Sequence, residues 1–210
     1  MPDFDHNKIL YKYRGFGNLE FALDIFLNER LYAADFKSLN DPMEGRFRYS
    51  RHIKDRERIK ETIIDKSDFR ILSLSQDWNN HLLWSYYSEG HSGFVVGVKI
   101  KEGQNLTIRE VDYVPNFFLR ENEINPENIL SRKHETWDHE NEVRVLQHNY
   151  NESPFVDVEI KQLIFGRNSE SQNKLKVDLL KRLVEKTFGD TVEIITTTHN
   201  NVKEWVDGNS

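Results

Sequence analysis

The sharpest chemical feature of this 210-residue chain is the stretch Trp137-Asp138-His139-Glu140-Asn141-Glu142-Val143-Arg144. Glu140 and Glu142 stand two apart, which in an extended chain puts both carboxylates on one face. Two buried carboxylates repel, so one is driven toward protonation unless a cation or hydroxyl offsets it. Such a pair can deprotonate a nucleophile or stabilise an oxocarbenium at a sugar carbon. It can also bind a divalent metal. If the two glutamates are exposed at the start of a strand, they simply pair with Arg144 or Lys133.

Three more groups carry chemistry. Tyr11-Lys12-Tyr13-Arg14 precedes Gly15-Phe16-Gly17, and an arginine there offers a permanent charge and a fork of donors suited to phosphate. Ser73-Leu74-Ser75 points both hydroxyls to one side of a strand if Leu74 is core. Asn79–Ser92 is rich in aromatics; Trp84 is assigned to packing, while Tyr87 and His91 are candidates for a cleft wall. Asn40-Asp41-Pro42-Met43-Glu44 reads as a turn whose carboxylates cap backbone N–H groups. The eight histidines, His6 and His199 among them, show no i, i+4 pair backed by a glutamate, so no metal site is expected from them. There is no P-loop, and Gly15-Phe16-Gly17 is too short for a dinucleotide fingerprint.

The elements that must hold these residues follow from local pattern. Strands are expected at Ile9–Arg14, Leu31–Ala34, Phe69–Ser75, Gly93–Ile100, Leu106–Tyr113, Glu142–Gln147, Phe155–Phe165 and Thr191–Thr197. Helices are expected over 18–28 with Leu19, Leu23 and Phe26 inward, over 54–66, over 80–88, and over 172–187 with Leu175, Leu179, Leu180, Leu183 and Val184 on one face. Residues 116–136 read as a long polar connection with a short helix near 127–132. Early helices ahead of most strands point to an α+β fold. No break in composition demands two domains, so a single domain over 1–210 is expected, its core at about 8–165 and a C-terminal extension at about 166–210.

Composition narrows the function classes. The chain is 37% apolar, 30% charged and 12% aromatic, with a formal net charge of −6 and no cysteine. Disulfide frameworks, cysteine zinc sites and thiol nucleophiles are therefore excluded, leaving carboxylates, serines and arginine. The opening MPDFDHNKIL is not a secretory signal, and no window approaches a membrane span. A cytoplasmic globular protein is expected.

Leu10–Arg14, Asn40–Glu44, Leu83–Tyr87 with Gly93, and Lys133 with Trp137, Glu140, Glu142 and Arg144 together resemble a bacterial family catalogued as domain of unknown function 2971, across about residues 8–165. That name implies no activity. The order Arg14, Ser73/Ser75, Phe94–Gly103 and Glu140–Leu146 also resembles, more distantly, the Arg–Ser–Glu class of ADP-ribosyltransferases, with Leu74 where that class usually has Thr. This resemblance implies an ADP-ribosyltransferase-like mixed β core with flanking helices and a C-terminal βαβ-like extension. It implies NAD as substrate, with Arg14 on its phosphates and Tyr13, Ser73, Tyr87 and His91 around the dinucleotide. Ser75, with Ser73, would bind the nicotinamide ribose and support the catalytic glutamate. Glu142 would stabilise the oxocarbenium and Glu140 would activate the acceptor, while Lys133, His134 and Trp137 would meet the target. The implied role is an intracellular effector or defence toxin acting on a macromolecule, with a cognate antitoxin or immunity protein as a partner. Two rivals stand beside it: a metal-dependent nuclease or phosphoesterase using Asp41, Glu44, Glu140 and Glu142, and a non-catalytic protein-binding module.

Overall fold

The computed structural model describes residues 4–5, 7–53, 55–148 and 153–198. His6, His199 and the expected extension from residue 199 onward lie outside them. In chain order the elements are β1 (Leu10–Arg14), α1 (Leu19–Asn28), β2 (Arg30–Tyr32), β3 (Ala34–Asp35), β4 (Arg48–Tyr49), α2 (Arg56–Asp65), β5 (Phe69–Ser75), α3 (His81–Tyr87) and β6 (Phe94–Ile100). There follow β7 (Leu106–Glu110), β8 (Asp112–Val114), β9 (Phe118–Leu119), α4 (Pro126–Leu130), β10 (Arg132–His134), β11 (Glu142–His148), β12 (Phe155–Phe165), α5 (Ser169–Phe188) and β13 (Glu193–Thr196). The fold is mixed α+β, with largely antiparallel sheet and several helices.

The chain forms two compact units that interleave along the sequence. Leu31–Leu74 and Glu102–Val156 make up the bulk of the first. Its strands run β3-β5-β11-β7, with β11 antiparallel to β7 from Val143 opposite Glu110 to Gln147 opposite Leu106. Phe36, Phe69, Ile71, Leu130 and Leu146 pack together inside it. The stretch expected as a polar connection is structured. Asn125 accepts a hydrogen bond from the Asn128 N–H, Pro126 opens α4, and Ile129 and Leu130 are buried. A proline in the first turn costs nothing there, because its missing donor has no partner in a helix anyway. β10 then pairs in parallel with β8.

The second unit holds the described residues of Asp5–Arg30 and Ser75–Lys101 and of the chain from Asp157 to residue 198. Its strands run β13-β12-β6-β1. β1 is antiparallel to β6 from Leu10 opposite Val98 to Arg14 opposite Phe94. β12, α5 and β13 form a βαβ unit whose strands pair in parallel. Tyr13, Leu83, Trp84, Val95 and Ile164 form its packed centre. A Cβ on Gly93 would lie 2.1 Å from the Arg14 carbonyl oxygen, so glycine is what lets the start of β6 close on the end of β1.

Two helices bury only part of the faces expected, with Phe26 in α1 and Leu180 and Val184 in α5 inward as expected. α1 buries Ala22, Ile25 and Phe26 and leaves Phe21 exposed. α5 buries Val177, Leu180 and Val184, while Leu175 and Leu179 face solvent. Leu180 and Val184 of the expected stripe are therefore inward, and Val177 completes that face in place of Leu175 and Leu179.

Candidate functional site

The candidate site residues divide between the two units: Ser73, Glu140 and Glu142 lie in the first, and Tyr13, Arg14, Ser75, Tyr87 and His91 in the second. Each set has its own chemistry.

In the first unit, Glu140 and Glu142 do converge, by a route different from the expected one. Glu140 ends a 3-10 turn and Glu142 begins β11, so they are not on one strand face. Between them Asn141 takes the left-handed conformation (φ 44°, ψ 52°), which asparagine tolerates better than most residues. That reversal brings both carboxylates to the Lys133 ammonium, at 2.5 Å from Glu140 and 3.3 Å from Glu142. The ammonium also lies 4.7 Å from the centre of the Trp137 ring.

Arg144 completes the cluster. Its Nε donates to Glu142 Oε1 at 2.9 Å and its Nη2 to Glu142 Oε2 at 3.3 Å. Nη1 and Nη2 grip Glu44 at 2.7 and 2.6 Å, and Nη1 also donates to the Leu130 carbonyl at 2.7 Å. A guanidinium has five N–H donors, and here each has an acceptor. The side chain is fully buried.

Burial alone would raise the Glu142 carboxyl. The charges of Arg144 and Lys133, with hydrogen bonds from Arg144 and Ser73, outweigh it and hold the group down at about 2. Burial pulls the Arg144 guanidinium down, and its two glutamates more than reverse that, so it stays charged. Burial raises Glu44 above the usual carboxylate range, and Arg144 offsets only part of this. Glu142 accepts two bonds from Arg144, one from Lys133 and one from Ser73. A carboxylate has about four acceptor positions, so those of Glu142 are filled.

The turn at residues 40–44 splits in role. Asp41 caps as expected, accepting from the Met43 N–H at 2.9 Å, whereas Glu44 turns to Arg144. Among the described residues no group of three or more His, Cys, Asp or Glu side chains is arranged to hold a metal ion. The glutamates that a metal-dependent reading would use are bound to the two cations instead.

In the second unit, Arg14 is the opposite case. Its Nε is buried without a hydrogen-bond partner, and among the described residues its guanidinium makes no hydrogen bond or ion pair. Burial lowers its affinity for its proton, and no neighbouring carboxylate restores it. Arg14 lines a cavity of about 180 Å³ with Gly15, Gly17, Asn18, Phe21, Ala22, Glu89 and Phe94. Whole-ligand pockets are roughly 300–1,000 Å³, so this one suits a fragment such as a phosphate or pyrophosphate. α1 begins on its wall, and the Asn18 side chain does not cap that helix.

The remaining second-unit candidates do not line this cavity. Tyr13 is buried edge-on against Trp84 and donates to the Asp77 carbonyl at 2.8 Å; burial raises its phenol well above the ordinary value. His91 is buried and stacked on Trp84, with ring planes 9° apart. Tyr87 packs against the same centre. Ser75 sits opposite Tyr11 and accepts from the Asp77 N–H at 3.1 Å, while Ser73 is the serine that meets Glu142.

Two residues of consequence were missed. Glu44 was read only as a turn carboxylate or metal ligand, and its partner lies 100 residues away. Glu89, just past the helix expected over 80–88, was assigned no role, although a charged residue just before a glycine is a usable signal of a turn able to present it. Comparison with protein-family models, with curated proteins and with solved structures finds no match to the chain. Among the described residues no helix is long and apolar enough to cross a membrane.

Proposed function

We propose that the chain is an ADP-ribosyltransferase-like domain that takes NAD as substrate, with the Arg14 cavity receiving the pyrophosphate. The observation that carries this reading is Arg14, half-buried on the wall of a cavity of about 180 Å³, with its Nε buried and without a hydrogen-bond partner among the described residues. A buried charge without a partner is costly, and a ligand anion is the partner that would offset it. The resemblance supplies the rest of the reading: transfer to a macromolecular acceptor inside the cell, as an effector or defence toxin held in check by an antitoxin or immunity protein. Glu142 keeps the ionised form that stabilising an oxocarbenium needs.

A second reading has its own support. The acceptor positions of Glu142 are filled by protein groups, which leaves little for a sugar. On this reading the chain is a module that holds the dinucleotide without transferring ADP-ribose. Titration calorimetry with NAD, together with labelling of lysate protein, nucleic acid and the chain itself by biotin-tagged NAD, separates the two. Binding with labelling that is lost in Glu142→Gln supports transfer. Binding without labelling supports the module. No binding, or binding unaffected by Arg14→Gln, overturns both.

A further inference from the structure

The Arg14 cavity has a second charged wall. Glu89 accepts hydrogen bonds from the backbone N–H groups of Phe16 at 3.1 Å and Gly17 at 3.0 Å. Successive amide N–H groups in a glycine-containing loop would ordinarily be free to bind a phosphate; here a carboxylate of the protein has taken them. The placement is held from both sides. Glu89, Gly90 and His91 all lie at positive φ, and the Glu89 carbonyl accepts from the Ser92 hydroxyl at 2.6 Å. On the loop side, a Cβ on Gly15 would fall 2.4 Å from Glu89 Oε1, so a larger residue there would push the carboxylate aside. Glu89 and Arg14 line one cavity without forming an ion pair. The ligand therefore meets one cation and one anion, with the Phe16 and Gly17 N–H groups already taken.

We infer that Glu89 sets the charge selectivity of this site: it admits the pyrophosphate of a dinucleotide, whose phosphates carry one charge each, and disfavours a terminal phosphate monoester, which carries close to two. The inference rests on the proposed reading that the cavity receives a phosphate. A phosphodiester matches one guanidinium and leaves Glu89 in place. A terminal monoester brings a second negative charge toward the exposed Glu89 carboxylate, and like charges repel. Phe21, 62% exposed on the cavity wall, offers an aromatic face to the part of the ligand outside.

The test is calorimetric titration of the wild type, Glu89→Gln and Arg14→Gln with NAD and, separately, with ADP. Wild type is expected to bind NAD at least about tenfold more tightly than ADP, the scale of one charge contact. Glu89→Gln should narrow that gap about tenfold by improving ADP more than NAD, and Arg14→Gln should weaken both. Equal gains for the two ligands in Glu89→Gln, or none, overturn the inference while leaving the Arg14 reading intact. Absence of NAD binding in the wild type and in Glu89→Gln alike overturns both. Melting curves check folding, and Glu89→Ala replaces the first variant should its amide fail to seat on the loop.

Discussion

Two arginines, one in each unit, show what a buried charge is for. Arg144 has all five donors satisfied by Glu44, Glu142 and the Leu130 carbonyl, and its neighbours hold it charged. Arg14 has none satisfied by described residues, and burial alone acts on it. The residue type is the same; Arg144 is fully buried and Arg14 is half-buried on a cavity wall. One is complete within the protein and so serves the structure; the other is complete only with something added. Saturation of hydrogen bonds, rather than burial or residue type, distinguishes them.

The largest effect expected from this contrast is on stability. Arg144→Met strips Glu44 and Glu142 of their shared cation and should cost about 3–5 kcal/mol, the usual penalty for breaking a buried ion pair from one side. Denaturant unfolding reads it, and a loss below about 1 kcal/mol would mean the cluster relaxes into water. Arg14→Leu should do the reverse: stability unchanged within about 1 kcal/mol or raised, because a half-buried charge whose Nε has no partner among the described residues is removed. A loss as large as that of Arg144→Met would erase the distinction.

The response to acid tests the same cluster. The Glu142 carboxyl is held at about 2, below its ordinary 4.5, so its contribution to stability is present above about 4.5 and is lost as pH falls toward 2. Glu44 is raised, so its ionisation works against stability as pH rises through its folded-state value. Unfolding free energy followed from pH 5 down to about 2 should therefore fall in the wild type. Glu142→Gln should flatten that fall; an unchanged slope would place the acid sensitivity elsewhere.

How far the sequence was legible depended on range. β5 and α3 stand where expected because alternation and an Asn80 cap are local signals. The meeting of Glu140 with Glu142 was legible as an outcome and misread as to cause, because a left-handed Asn141 leaves no trace in periodicity. The inward face of α5 was legible in part, since Leu180 and Val184 are buried while Val177 takes the place expected for Leu175 and Leu179. The grip of Arg144 on Glu44 had no local signature at all, and Glu89 needed the fold to bring it to residues 16 and 17. Arg14 was picked out by its place at a strand end before glycine. Its lack of a partner could come only from the three-dimensional arrangement.

The distance between Glu44 and Arg144 also bears on how the chain is made. The two are 100 residues apart, with Lys133 and Glu142 close behind the second. At a synthesis rate of roughly 5–20 residues per second, Glu44 leaves the ribosome roughly 5–20 s before its arginine exists. Through that interval its carboxylate must stay in water, and β5 is made well before its neighbour β11. The first unit is thus closed by its C-terminal half, and a nascent chain halted short of Arg144 should remain open there to protease.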